Sequence, residues 1–438
     1  MSANTTAQHF DAIVIGAGIV GSGVALELTR SGKQVAFIDR NSGAGQGSTS
    51  ASSAIVRFQY STWEGVVTSW EAKFGWQRWS EHLGAVDPQG MARYTATGVF
   101  TWDFPGFDST RVMELFDKIG IPYERLSASE IAQRFPYFET GTHHPPKTLD
   151  DPAFWQDSSV ELGGFYCPAG GFVDDPSLAA HNLAHAAIVH GATPFYRSTV
   201  TRVLRGVDVI EGVELNGTTV LTAPVVVNCA GPHSRAINEL AGDIGAWNVT
   251  TGPMRQEVHH LADPTNFTIA NGAPVTFDGD LGTYFRPDPG GIMVGGMEPE
   301  CEPLDWLHDA DEANMAASLP VYEAQTTRLA RRIPTLQVPP RPRGVVGIYD
   351  VSDDWIPIYD KTSLPGYYVA IGTSGNQFKN APVIGQIMAR LIDQVEQGAD
   401  HDGASVTWVP PYTGLPVDLH HYSRLRSINR DSSFSVLG

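Results

Sequence analysis

Residues 11–40 read DAIVIGAGIVGSGVALELTRSGKQVAFIDR, and the fold follows from this stretch. An apolar run leads into Gly16-x-Gly18-x-x-Gly21, an amphipathic helical pattern, a second apolar run ending at Ile38, and an acid at Asp39. That order is a strand–helix–strand unit built to hold a dinucleotide. Gly16 permits the tight turn after the strand, Gly18 lets the backbone approach a pyrophosphate, and Gly21 lets the helix pack close to the sheet. The helix N-terminus then faces the phosphates. Asp39 follows Gly21 by eighteen residues, where a carboxylate accepts hydrogen bonds from both ribose hydroxyls of an adenosine and repels a 2′-phosphate. A glycine-rich turn alone also joins strands to helices without any ligand, so the flanking strand, helix and acid carry the reading.

At 438 residues and 42% apolar composition, the chain exceeds the usual size of one core, and two domains are expected. Its 29 basic and 48 acidic residues give a net charge of −19, which opposes binding to nucleic acid or anionic membranes. Cys167, Cys229 and Cys301 are scattered and form neither a CxxC pair nor a disulfide framework, as in a reducing compartment. The leader MSANTTAQHF has no basic start or apolar core, and no apolar run is long enough for a membrane span, so a cytoplasmic protein is expected. The sequons at Asn4, Asn216, Asn248 and Asn266 then have no bearing on glycosylation.

Beyond the opening unit lies a small-residue loop, Gly43 to Ser53. A helix is predicted over 62–83, with Trp63, Val66, Trp70 and Phe74 forming a core-facing stripe. A strand pair is read within 94–104, a helix over 110–119, and a helix over 176–190 that opens after Asp174 and Asp175. Runs at 199–204, 209–215 and 218–221 form a meander, with Asn216-Gly217 as a hairpin turn. Val225 to Asn228 leads through Cys229-Ala230-Gly231 into a helix over 234–240, a second turn able to approach the dinucleotide. Strands at 255–261, 283–286 and 291–295 and a helix over 311–332 follow. A last strand, 367–371, runs through Gly372 to Lys379 into a helix over 381–395. The nucleotide-binding elements are thus spread over remote stretches, which points to FAD, a long molecule gripped at several places. The segments 1–92, 160–242 and 343–438 are read as an FAD-binding domain, and 93–159 and 243–342 as a β-sheet substrate domain. The fold class is an α+β or α/β two-domain protein with a Rossmann-like FAD-binding domain.

Several motifs taken together resemble the D-amino acid oxidase superfamily of flavoproteins, in its sarcosine oxidase, glycine oxidase and dimethylglycine dehydrogenase branch. The carriers are Gly16 to Gly21 with Asp39-Arg40, Gly47-Ser48-Thr49 leading to Arg57, Phe172-Val173-Asp174, Val226 to Gly231, Tyr284-Phe285-Arg286-Pro287 and Gly372 to Lys379. The resemblance spans nearly the whole chain. It implies hydride transfer from the carbon beside nitrogen to flavin N5, giving an imine that water hydrolyses. It also implies cofactor contacts from Gly16, Gly18, Gly21, Asp39, Arg40, Gly47, Ser48, Thr49, Val200, Ala230, Gly231, Gly372, Gly375, Asn376, Gln377, Phe378 and Lys379. In the sarcosine oxidase pattern an arginine after the small-residue loop and a lysine closing the last glycine motif hold the substrate carboxylate; Arg57 and Lys379 match these positions. The chemistry agrees, because two cationic donors fix an amino acid with its reacting carbon over the ring. The alternative is that Arg57 meets FAD phosphate and Lys379 caps a loop. Tyr349 and Tyr60 are placed either to touch the amine or as structural residues, and Arg286 either faces the cavity or forms a surface ion pair.

The chain departs from the pattern at two positions. Gly347 stands where sarcosine oxidases tether FAD through cysteine, and Ser48 to Ser53 contains no histidine, so FAD is expected to be non-covalent. Met293 replaces the lysine that promotes oxygen reduction, which leaves the acceptor open between oxygen and an electron-transfer partner. The adjacent pair His259-His260 lacks metal spacing, and no metal is expected. The tail 409–438 is expected to dock on the core or on a partner subunit, leaving a homo-oligomer open. The alternatives to amino-acid oxidation are an FAD-dependent 2-hydroxy acid dehydrogenase, which needs a base for the hydroxyl proton, and a non-catalytic flavoprotein assembly factor.

Overall fold

The apolar run of the opening unit becomes the buried strand Ala12–Ile15, at the centre of a six-stranded sheet. The computed structural model describes residues 7–262, 266–430 and 432–437; the first residues of the leader and the last of the tail lie outside them. Six strands form one sheet in the order Thr193–Phe195, Val35–Ile38, Ala12–Ile15, Val225–Asn228, Tyr367–Ile371, Ile358–Lys361. All neighbours run parallel except the last pair. The central strands are buried on both faces, as uninterrupted Val/Ile runs require. Ala12 and Val14 pack toward the helices Ile19–Arg30, Pro176–Val189 and Ala381–Glu396. Ile13 and Ile15 pack toward the meander Val200–Arg205, Ile210–Leu215 and Thr219–Thr222.

Register sets the site. Ile15 lies opposite both Ile38 and Asn228, so Gly16, Asp39 and Cys229 emerge side by side at the carboxyl edge of the sheet. This is the crevice where open parallel sheets bind ligands. The wall facing it is a second, nine-stranded sheet. Its order is Asp305–Trp306, Thr251–Ala262, Gly291–Gly296, Thr283–Asp288, Val275–Asp278, Val99–Trp102, Gly164–Cys167, Glu124–Leu126, with Gly344–Ser352 also paired to Thr251–Ala262. Its outer face buries Phe100, Trp102 and Phe285 against Tyr322 and Leu329 of the helix Leu319–Arg332.

Three readings of the sequence need correction. The run 94–104 is not a strand pair: Tyr94–Thr95 joins Gly171–Val173, whereas Val99–Trp102 joins the nine-stranded sheet. Gly98, at φ +79°, turns the chain between them. The helix expected over 311–332 begins only at Leu319, because Asp309 caps a short 3-10 turn over Ala310–Glu312 and Pro320 sits in the first turn of the true helix, where a missing N–H costs nothing. The predicted helix over 62–83 is two helices, Trp63–Gln77 and Trp79–Leu83, broken at Arg78. Gly164–Cys167 and Gly344–Ser352 complete the large sheet.

Candidate active site

One continuous cavity of about 660 Å³ runs between the two sheets, from the glycine fingerprint to Arg57 and Lys379. At the fingerprint end, Gly16 holds φ +103°, and a Cβ there would lie 2.3 Å from the Cys229 carbonyl oxygen. Only glycine lets these two turns meet. A Cβ on Gly18 would come within 3.2 Å of Thr49 Oγ1, which accepts the Ile19 N–H at 3.1 Å. The helix Ile19–Arg30 thus receives its cap from the small-residue loop. Asp39 accepts the Ala17 and Asn41 N–H groups, one on each oxygen at 2.8 Å, and each oxygen keeps a lone pair for a hydroxyl donor. Ser48 donates to the Ile348 carbonyl at 2.6 Å and so fastens the loop to the large sheet.

The residues expected to hold the dinucleotide divide by location. Gly16, Gly18, Asp39, Arg40, Gly47, Ser48, Thr49, Val200, Ala230 and Gly231 line the cavity, as do Gly375, Asn376, Gln377, Phe378 and Lys379. Gly21 and Gly372 do not. A Cβ on Gly21 would lie 1.9 Å from the Gly16 carbonyl oxygen, so its role is to close the turn; Gly372, at φ +65°, donates its N–H to buried Asp350 at 2.6 Å. Arg40 turns its guanidinium onto Asp311 at 2.8 Å.

At the opposite end, Arg57 and Lys379 are both buried and flank Tyr60. The Arg57 guanidinium carbon lies 4.6 Å and the Lys379 Nζ 5.0 Å from its ring centroid. Lys379 donates to the Tyr60 hydroxyl at 2.8 Å and to the Asn376 carbonyl, and Tyr60 donates to that carbonyl at 3.0 Å. Arg57 donates to the carbonyls of Gln59 and Val436. Among the described residues neither cation has a carboxylate partner, although the other buried arginines do: Arg286, Arg332, Arg424 and Arg426 pair with aspartates and Arg328 with Glu302. Burial, reinforced by Arg57, pushes the Lys379 amine well below its usual range, and burial also lowers Arg57. Two desolvated basic side chains thus converge here without a carboxylate counter-ion among the described residues.

The helix Trp63–Gln77 supports this end. Trp76 donates to the Lys379 carbonyl at 2.7 Å and stacks on Phe378 at 5.5 Å, which steadies the lysine turn, while the stripe residues Val66 and Trp70 are buried and Trp70 packs on Phe58 and Phe74. Gly375 holds φ +68°, and a Cβ there would lie 2.3 Å from the Tyr349 ring, which therefore packs directly on the motif. Burial raises the Tyr349 phenol well above its usual range, with Tyr284 and Glu298 adding to the shift.

Arg286 corrects both sequence alternatives. It is 2% exposed, pairs with Asp288 at 2.7 Å, donates to the Ser53 carbonyl at 2.9 Å and is not a cavity residue. It is a buried strut under the loop, neither a cavity cation nor a surface pair. Sequence reading missed Asp350 and Glu298, whose carboxyls burial pushes up to about 7 and about 8, and it missed Val436 in the tail. A strand acid beside Tyr349 carries no motif, and nothing local shows that the tail reaches the cavity.

The cavity thus joins the glycine-rich turn at the sheet edge to a pair of buried basic side chains beneath the large sheet. The family model for FAD-dependent oxidoreductases, the DAO family, matches residues 11–391, and the chain belongs to that family. A curated relative, the tRNA 5-methylaminomethyl-2-thiouridine biosynthesis bifunctional protein MnmC of Azoarcus sp. (strain BH72), is 25% identical over 224 residues, covering 50% of this chain and 31% of its own length. The chain thus spans less than a third of that relative. The fold is shared with L-proline dehydrogenase from P. horikoshii (TM-score 0.73, 20% identity, 96% of this chain and 98% of that one). It is shared also with glycine oxidase from Geobacillus kaustophilus (TM-score 0.70, 19% identity, 90% and 98%). Among the described residues no helix is long and apolar enough to cross a membrane.

Proposed function

We propose that this FAD-dependent oxidoreductase oxidises the C–N bond of a small N-alkyl or D-amino acid whose carboxylate is seated between Arg57 and Lys379. The observation that carries this reading is the pair of buried cations around Tyr60 with no carboxylate neighbour. FAD, when bound, supplies the two-electron sink that accepts hydride from the carbon beside nitrogen. Gly16, Gly18, Thr49, Asp39, Ala230 and Gly231 would hold its nucleotide end, and the turn Gly375 to Lys379 the end beside the substrate. Gly347 and the loop 48–53, both cavity walls, carry no thiol or imidazole, which supports a non-covalent cofactor.

Binding the carboxylate supplies the counter-charge that Lys379 lacks and raises its amine back toward its usual range. Two-point seating fixes the reacting carbon, and Tyr60, locked between Lys379 and Asn376, keeps the lysine from swinging away. The Tyr349 hydroxyl, held neutral by burial, offers an acceptor or donor for the substrate nitrogen. Loss of hydride, with the nitrogen lone pair forming C=N, leaves an imine; water adds to it and releases amine and carbonyl products. Oxygen or an electron-transfer partner then removes the electrons.

The test is anaerobic mixing of the holoenzyme with N-methyl amino acids, D-amino acids and 2-hydroxy acids while following flavin bleaching at millisecond resolution. Bleaching by an amino acid is expected. Bleaching by hydroxy acids alone, or by nothing in the panel, contradicts the proposal.

A further inference from the structure

Among the described residues, the tail enters the cavity with one, Val436. Arg424 and Arg426 root the segment through buried ion pairs, Arg424 to Asp360 at 3.0 Å and Arg426 to Asp354 at 2.7 Å. Past them, residues 432–437 reach back over the nine-stranded sheet and bury Val436 and Leu437 beside Phe277 and Tyr284. Among the described residues, the hydrogen bonds that join 432–437 to distant parts of the protein are both made by the Val436 backbone. Its N–H donates to Glu298 Oε2 at 3.2 Å, and its carbonyl accepts from Arg57 Nη2. The remaining bonds of the segment are local, such as Ser433 to Ser435 at 2.9 Å.

The atoms that Val436 presents are N–Cα–C=O, the skeleton of an α-amino acid. Its nitrogen end meets a carboxyl and its carbonyl end meets a buried guanidinium. A neutral amide is a weaker partner for both groups than the charged ends of a free amino acid, since hydrogen bonds to ionised groups are the stronger ones. Glu298 is itself held at φ +50°, a left-handed conformation that a glutamate adopts only when its surroundings impose it. Gln256 Nε2 holds the other oxygen of Glu298 at 3.2 Å, so the oxygen facing Val436 is the one left for exchange.

Resting on the carboxylate reading of Arg57 above, we propose that the C-terminal segment is an intramolecular pseudo-substrate: Val436 occupies the amino-acid seat between Arg57 and Glu298, and the true substrate displaces it, giving its carboxylate to Arg57 and its nitrogen to Glu298. Glu298 is thereby the residue that selects for nitrogen, and the tail is the element that must leave before substrate enters.

The probe is α-aminoisobutyrate, which has an amine and a carboxylate but no hydrogen on its α-carbon and so cannot be oxidised; pivalate replaces its amine by methyl. Saturating α-aminoisobutyrate should raise deuterium uptake in 432–437 of the natural holoenzyme. A chain ending at Arg430, and the full-length Val436→Pro variant that lacks the N–H, should bind α-aminoisobutyrate at least tenfold tighter by flavin absorbance titration. Glu298→Gln should lose the preference for α-aminoisobutyrate over pivalate while its flavin content holds. Unchanged or reduced uptake in 432–437 with the probe added, or unchanged affinity in both tail variants, overturns the proposal. Flavin bleaching by amino acids with an undisturbed tail sinks this proposal and leaves the reaction standing. Tail release without any amino-acid oxidation upholds it and sinks the reaction.

Discussion

Replacing Lys379 by Met separates substrate binding from stability more sharply than any other single change. Met has similar length and no charge, so the buried pocket stays filled while the donor to the substrate carboxylate disappears. Arg57 remains, so the carboxylate is not left alone among apolar groups, and the loss is that of one charged hydrogen bond, about 1.5–3 kcal/mol. At about 1.4 kcal/mol per factor of ten, kcat/KM falls about 10- to 150-fold, chiefly through KM. Stability moves the other way. Burial holds the Lys379 amine well below its unfolded value of 10.5, so at neutral pH the unfolded chain binds the proton more readily than the folded one, and protonation costs the fold. The Asn376 carbonyl keeps its bond from Tyr60. The variant therefore retains its flavin, melts no lower than the parent at pH 7, and shows the KM rise in steady-state assays. Loss of flavin with unchanged KM would refute the reasoning and make Lys379 a loop cap.

Four further outcomes follow from the same geometry. Asp39→Ala removes the acceptor of the Ala17 and Asn41 N–H groups and of the ribose, and weakens FAD about tenfold or more, read by flavin fluorescence after dialysis. Gly16→Ala forces a Cβ to 2.3 Å from the Cys229 carbonyl oxygen at φ +103°, and yields a chain that does not retain FAD on a desalting column. Acid precipitation releases all the flavin into the supernatant, as a non-covalent cofactor requires. Burial raises Glu298 from 4.5 to about 8, so between these values the folded protein holds a proton that the unfolded chain has released. Its contribution to stability is complete below the unfolded value and is lost as pH rises through the folded one, by at most about 1.4 kcal/mol per pH unit. Glu298→Gln flattens that slope in urea titrations at pH 6 and pH 8.5.

What the sequence disclosed and what it hid have physical reasons. The fingerprint was legible because its demands are local: glycine at Gly16 and an acid at Asp39 follow from the turn and the sheet edge alone. Asn216-Gly217 likewise declares its hairpin, since both residues adopt the positive φ that such a turn needs. The last glycine motif was legible through Gly375, whose missing Cβ admits Tyr349. Strand partners were not, because Val99–Trp102 pairs with Val275–Asp278, distant in sequence. Arg286 was misread because it shares the Tyr284 face of its strand, and only the loop ending at Ser53, folded over it, shuts it out of the cavity. Glu298 and Val436 carry no motif at all; their meeting depends on a tail crossing the large sheet.

The most direct measurement is a crystal structure of the holoenzyme with α-aminoisobutyrate bound. The account predicts FAD along the cavity, with no covalent density to Gly347 or the loop 48–53, and a ligand carboxylate within hydrogen-bond reach of both Arg57 and Lys379. A ligand bound elsewhere, or Arg57 and Lys379 engaged with FAD phosphate, would contradict it.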